Sequence, residues 1–290
     1  MATCPPLLVA PPPTEPYVGG LFAAARFPEL PADGNGNRWE CGIQYEAETC
    51  ARPSGWHEVC PPEVPATKTP TLTFPLVDGT PFTALLGVEC KLVGTSLAEL
   101  ERRVINAFVA CEQATVESIY WTGSEGNTPS LAAPAGTPPA AQCQALGTVD
   151  DPFTIVGALA AIETFLGDSY CGTGVIHAPR TIAPYAASMN LICGCNAQKP
   201  TTPLGTRWAF GGGYSVNTGP DGVEAPDGVA WLYVTGAVNI WRSEVWVNPD
   251  DLRYAFNTRT NDVTIFAERK YIVTHECVCA AIPVTVGCQC

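Results

Sequence analysis

One unbroken helical stretch organises an otherwise heavily punctuated chain. Residues 96–122 contain neither glycine nor proline, although the 290 residues carry 27 Gly and 28 Pro. Ser96 followed three residues later by Glu99 is a capping box. Leu97, Leu100, Val104, Phe108, Cys111 and Ile119 recur at helical spacing, and Gly123 is a stop signal. At ~1.5 Å per residue this helix is about 40 Å long. Its charged residues Glu101, Arg102, Arg103, Glu112 and Glu117 are predicted to form a solvated or intersubunit face. The apolar stripe Leu100–Val104–Phe108 is expected to lie on a sheet built from residues near 240–247 and 263–280.

Around that helix the texture is short and broken. Residues 1–38 are proline-rich without a period, and Leu7–Pro13 reads as an extended arm. Thr71–Phe74 and Phe82–Leu86 read as a long hairpin turning at Asp78-Gly79. Pro61–Pro65 is too rich in proline for a central strand. A second helix is predicted from an Asp151 N-cap and Pro152 to Leu166, stopped by Gly167. A buried strand at 174–177 then leads into a third helix near 182–192. Strands follow at 208–210, 229–234, 238–247, 263–266 and 271–278. The grammar is α+β, with one long helix and several antiparallel strands.

Charge excludes several functions. The formal net charge is −13, and nucleic-acid or anionic-membrane binding needs a basic face. No run of 18 apolar residues, the length that could cross a bilayer as a helix, occurs in the sequence. The opening Met1–Pro6 lacks the basic and apolar regions of a signal peptide, so synthesis in a cytosol is expected. Charged residues are 15% and hydrophobic residues 46% of the chain. That suits a compact β-rich monomer or a surface covered by copies of itself.

Fourteen cysteines are present, none in a C-x-x-C pair. The close pairs are Cys193–Cys195, Cys277–Cys279 and Cys288–Cys290. On a strand, a C-x-C places both thiols on one face. Buried hydrophobic thiols, disulfides acquired late, or a soft metal would each fit. The expectation is that Cys277 and Cys279 share a strand face, reduced and without metal.

No catalytic set assembles. There is no nucleophile elbow and no phosphate loop, and 172–177 departs from a dinucleotide fingerprint at His177. Gly211-Gly212-Gly213 is expected to be a flexible turn rather than an oxyanion hole. His57, His177 and His275 have no partners at metal-ligand spacing, and His177 is expected to be structural. Asp150-Asp151 and Asp250-Asp251 are expected to cap helices or turns.

The order of segments resembles the Hong Kong 97-type capsid fold, shared by shell proteins of tailed bacteriophages and encapsulins. Four stretches carry the resemblance: Ala107–Gly123, Val156–Ile162, Gly174–Pro179 and Asn261–Lys270, with Val278–Val286 finishing the sheet. It implies an N-terminal arm (1–38), an E-loop with flanking strands (39–94) and a P-domain spine helix with its following loop (95–148). An A-domain (149–237) and closing P-domain strands with the C-terminus (238–290) complete the chain. It also implies a non-enzymatic subunit of an icosahedral shell, assembled in a bacterial host cytoplasm and found in the virion. Its partners would be copies of itself in hexamers and pentamers, with scaffolding, decoration or portal proteins possible beside them. DNA would be enclosed cargo, with no cofactor, metal or membrane. The alternatives are another virion protein (decoration, minor capsid or tail) and a β-rich hydrolase. Some members of that family join a hairpin lysine to an asparagine through an isopeptide bond, helped by a glutamate. Lys68, Asn261 and Glu268 match that set. The expectation nevertheless is a noncovalent shell, with Glu268-Arg269 as an ion pair or intersubunit contact.

Overall fold

A computed structural model describes residues 15–30, 38–48, 50–53, 68, 70, 73–91, 96–132, 143–193 and 198–287. The chain runs α1 (Leu21–Ala24), β1 (Ile43–Glu46), β2 (Leu76–Gly79), β3 (Phe82–Lys91), α2 (Leu97–Thr122), β4 (Gln144–Ala145) and α3 (Ile155–Ser169). It continues β5 (Val175–Pro179), α4 (Ile182–Ser188), β6 (Arg207–Gly211), β7 (Val229–Thr235), β8 (Val238–Arg242) and β9 (Trp246–Asn248). The final elements are β10 (Phe256–Asn257), β11 (Asp262–His275) and β12 (Cys279–Thr285). His57, Pro61–Pro65, the 7–13 stretch and the close cysteine partners 195, 288 and 290 lie outside the described residues.

The long helix begins and ends where its local signals sit. Ser96 Oγ accepts from Glu99 N at 3.2 Å, and Gly123 closes the helix at φ 67° with its N–H on Ile119 O. The reciprocal arm of the capping box is absent, because the Glu99 carboxylate binds Arg102 and Arg103 instead.

Two five-stranded sheets frame the molecule, beside a separate two-stranded β1-β2 pair. In the first, β11 is the centre. It pairs antiparallel with β3 along one edge, through ten register pairs, and with β8, β9 and β10 along its other contacts. Leu100, Val104 and Phe108 of α2 are buried with Phe82, Ala84, Val263, Ile265 and Ala267. The expected sheet therefore does cover the helix, with β3 as an added contributor. The second sheet has the order β4-β12-β7-β5-β6. Ile155, Leu159, Ile162 and Leu166 of α3 cover it, as does Ile182 of α4.

Several expectations about the elements change. The hairpin does not form: β2 pairs with β1, while β3 pairs with β11. Asp78 and Gly79 lie inside β2 rather than at a turn. The chain turns beyond them, where Thr80 is pinned to Gly126 and Thr128 by four hydrogen bonds of 2.5–3.1 Å. The second helix is capped by Thr154, whose Oγ1 accepts from Gly157 N at 3.1 Å, and not by Asp151. It cannot start earlier, because Phe153 spends its N–H and C=O on β12. It runs through the open Gly167 to Ser169, since glycine in a helix costs only about 1 kcal/mol. The third helix is shorter, stopping at Ser188 ahead of Asn190 at φ 56°. The stretch 238–247 breaks into β8 and β9, whereas 263–266 and 271–275 fuse into the single strand β11.

The arm is also different. Leu21 and Ala24 are buried within the chain itself. Arg26 N bonds Val238 O, and Ile240 N bonds Arg26 O. Leu21 and Ala24 therefore anchor residues 17–27 on the chain's own core, while Val18, Arg26 and Phe27 stay exposed.

Candidate functional site

Two carboxylates on α2 contradict the prediction that its charged residues are solvated. Glu112 and Glu117 are 5% and 0% exposed. Burial of a carboxylate demands partners, and each has a set drawn from distant segments. Glu112 receives Arg269 Nη1 on both oxygens at 2.8 and 2.9 Å, and Tyr271 Oη at 2.5 Å. Arg242 Nη1 stands 3.8 Å away. Burial first, then the neighbouring carboxylate, pushes the Tyr271 phenol well up. Arg269 thus pairs with the spine helix and not with its neighbour Glu268.

Glu117 joins the N-terminal segment to the glycine turn. Its oxygens accept from Leu21 N at 2.8 Å, Gln113 Nε2 at 3.0 Å, Gly213 N at 3.0 Å and the Tyr17 hydroxyl. Burial raises its pKa and these donors oppose the rise. Gly213 lies hard against α2: a Cβ there would sit 2.1 Å from Ala114 O. The triglycine is accordingly a close-packing device and not a flexible turn.

The histidines complete a buried polar row. His177 is fully buried, with Nδ1 2.9 Å from Tyr214 Oη and Nε2 3.0 Å from Thr235 Oγ1. His275 Nδ1 stands 2.9 Å from Tyr120 Oη. Burial holds His275 down to about 4, and it holds His177 well below the ordinary range, helped by His275. The hydroxyl that faces His177, Thr235 Oγ1, is fully buried and spends its proton on Gly236 O at 2.9 Å. Asp251 caps the 252–255 turn through Arg253 N, as expected of a turn-start carboxylate. No group of three or more potential metal ligands occurs among the described residues, and no described helix is long and apolar enough to cross a membrane.

The cysteine expectation is overturned. Cys277 bonds Cys50 and Cys279 bonds Cys143. Cys277 does not share a strand face with Cys279: it sits at φ 57° in the connection between β11 and β12. The C-x-C rule fails here because it presumes extended backbone at both positions.

Lys68 and Asn261 are exposed. Glu268 Oε1 accepts from Asn248 Nδ2 at 3.3 Å. Asn261 precedes β11 at φ 57°, and the six steps from Asp262 to Glu268 along that strand span about 20 Å at ~3.3 Å per residue.

What the fold leaves uncovered is apolar. Phe74, Leu76 and Leu85 are 50%, 57% and 56% exposed. Beside Leu86, an open groove of about 530 Å³ runs between β3 and α2, lined by Val88, Cys90, Leu100, Val104 and Ala107, with Lys91 and Arg103 also on its wall. The sequence contained this signal as the alternation of β3, but not the face that would stay bare.

The overall fold recurs in known shells. The capsid of an empty GTA particle superposes with a TM-score of 0.57 at 12% identity, covering 98% of this chain and 96% of that one. The chain has the Hong Kong 97-type capsid fold. The capsid of Ralstonia phage GP4 shares that capsid fold at a TM-score of 0.53 and 9% identity, covering 99% and 96% of the two chains. A protein of Mycobacterium phage Bobi does so at 0.52 and 13%, covering 100% and 96%. No protein-family model and no curated protein matches the sequence. In this capsid fold Glu112 and Glu117 belong to the long helix that both sheets and the N-terminal segment meet.

Proposed function

We propose that this chain is a structural subunit that self-assembles into an icosahedral shell enclosing a tailed-phage genome. The observation that carries the reading is end-to-end likeness to capsid chains, 98% of this one against 96% of the GTA particle's. The bare apolar groove between β3 and α2 supports it, since monomers rarely leave large apolar patches uncovered. Exposed Leu76, Leu85 and Leu86 and the groove beside them put an uncovered apolar face on β2, β3 and α2.

Under this reading the segments divide as arm 1–38, E-loop and flanking strands 39–94, spine helix and loop 95–148, A-domain 149–237 and closing strands 238–290. The partners are further copies in hexamers and pentamers, and the subunit performs no turnover. The shell is noncovalent with respect to Lys68 and Asn261: boiled denaturing gels under reductant show a single monomer band, and a ladder that collapses in Lys68→Ala reverses this. Electron microscopy and gel filtration of the purified chain test the main reading. Closed particles with fivefold vertices are the expected result, and a persistent small oligomer at every concentration and salt tried rejects it.

A further inference from the structure

Both disulfides converge on one short connection. Residues 276–278 join β11, the centre of the first sheet, to β12 in the second. This connection is already built from backbone hydrogen bonds. Glu276 N bonds Ala237 O at 3.0 Å, and Gly236 N bonds Val278 O at 3.1 Å. Tyr170 Oη adds bonds to Glu276 Oε2 and from Ala237 N. The sulfur bonds are therefore not needed to shape it. They tie it to two remote points of the chain, 227 and 136 residues away in sequence.

Among the described residues, the first of those remote points is weakly held by other means. Residues 50–53 are half-buried or exposed, and their visible ties are an exposed Arg52–Asp168 pair at 3.8 Å and a Cys171 Sγ contact 3.5 Å from Ala51 O. Cys143 is buried in the core and precedes the two-residue strand Gln144–Ala145 paired to β12, where Leu146 N also bonds Ala281 O at 2.8 Å, so this segment is held without sulfur as well. The Cys50–Cys277 bridge is thus the firmest described attachment of its segment to the junction of the two sheets, and Cys143–Cys279 adds a covalent tie beside β4.

The geometry points to an oxidative lock: Cys50–Cys277 and Cys143–Cys279 close after assembly and staple both segments to the sheet junction. This inference rests on the reading of the chain as a shell subunit assembled inside a cell, where thiols are kept reduced. The oxidant is a small disulfide of the glutathione class. A thiolate of the half-buried Cys277 or Cys279 attacks one sulfur of that disulfide and expels one small thiolate. The thiolate of Cys50 or Cys143 then attacks the mixed disulfide and expels the second. Two protein thiols lose two electrons and two protons, and one small disulfide becomes two thiols.

The test uses the full chain produced in a reducing cytosol and blocked with N-ethylmaleimide at lysis. A second portion is assembled, treated with oxidised glutathione and then blocked. Unreduced peptide mass spectrometry reads both. The lock predicts labelled Cys50, Cys143, Cys277 and Cys279 in the first sample and both linked pairs in the second. It also predicts that oxidised particles survive guanidinium about tenfold longer than dithiothreitol-treated ones. This gain is retained in Cys171→Ser and lost in Cys277→Ser. Should Cys277→Ser not fold, the wild-type comparison with and without dithiothreitol decides. Bridges already present at lysis, pairs still unlinked after oxidation, or linked pairs with no change in survival each overturn the lock. Electron microscopy scores particles separately. Particles with unlinked thiols defeat the lock alone, while linked thiols without particles defeat the shell reading and, with it, closure after assembly.

Discussion

Arg269 Nη1 grips both carboxylate oxygens of Glu112, at 2.8 and 2.9 Å, across 157 residues of sequence. The pair fastens the long helix to the central strand of the first sheet. Removing one partner of a buried pair strands the other as an uncompensated charge, at a cost of about 3–5 kcal/mol. Arg269→Ala is expected to fall in that range by chemical denaturation. Arg242, 3.8 Å from Glu112, sets the lower end by offering a partial substitute. A loss below about 1 kcal/mol would show that the pair carries no structural weight.

Phe108 is 3% exposed and lies between α2 and the sheet. Phe108→Ala removes its packing and leaves a cavity, at about 3–5 kcal/mol. Thermal unfolding of the purified protein checks this, and a neutral result would contradict the burial.

Gly213 has no room for a side chain. A Cβ 2.1 Å from the backbone oxygen of Ala114 must push the 213–216 turn off the helix and break the Gly213 N–Glu117 bond. Gly213→Ala is expected to destabilise by about 1–3 kcal/mol or more. Measured stability equal to wild type would remove the close approach from the account.

Acid should weaken the protein through its histidines. Unfolded imidazole takes its proton near 6.5, whereas folded His275 does so only at about 4. Between those values the unfolded chain binds more protons, so this contribution is complete above about pH 6.5 and declines toward pH 4. The slope approaches ~1.4 kcal/mol per pH unit for each such group. His177 acts in the same direction. Glu117, with a raised pKa, acts oppositely: its contribution is present at low pH and is lost as pH rises through its folded value. Urea midpoints at pH 7 and pH 5 are expected to differ more in wild type than in His275→Gln. Equal differences would dismiss His275 as the source.

Leu85 separates folding from assembly. Its side chain is 56% exposed on β3, so Leu85→Glu should change subunit stability by no more than about 0.5 kcal/mol. The same substitution places a charge on the bare apolar face and is expected to abolish particles by electron microscopy. Normal particles from Leu85→Glu would take this residue out of the shell contacts.

The long helix shows how far local sequence reaches. Ser96 and Gly123 set its ends through hydrogen bonds that span three or four residues, so the limits were legible without the rest of the chain. The buried strand around His177 and the α+β order were legible for a similar reason, in apolar runs and turn residues. The same helix also shows where local reading stops. Glu112 and Glu117 look like solvent-facing charges in sequence. Only Arg269, Tyr271, Tyr17, Leu21 and Gly213, arriving from about 100 to 160 residues away, make their burial possible. The partner of β3 was hidden likewise, because alternation reports a strand's faces and not which strand lies beside it. Cys277 and Cys279 diverged because one left-handed backbone turn redirected a side chain that strand periodicity would have placed with its neighbour. Capping and turns are short-range and written in adjacent residues; the burial of charge, strand partnership and sulfur pairing depend on which distant segments meet, and only the tertiary structure decided those.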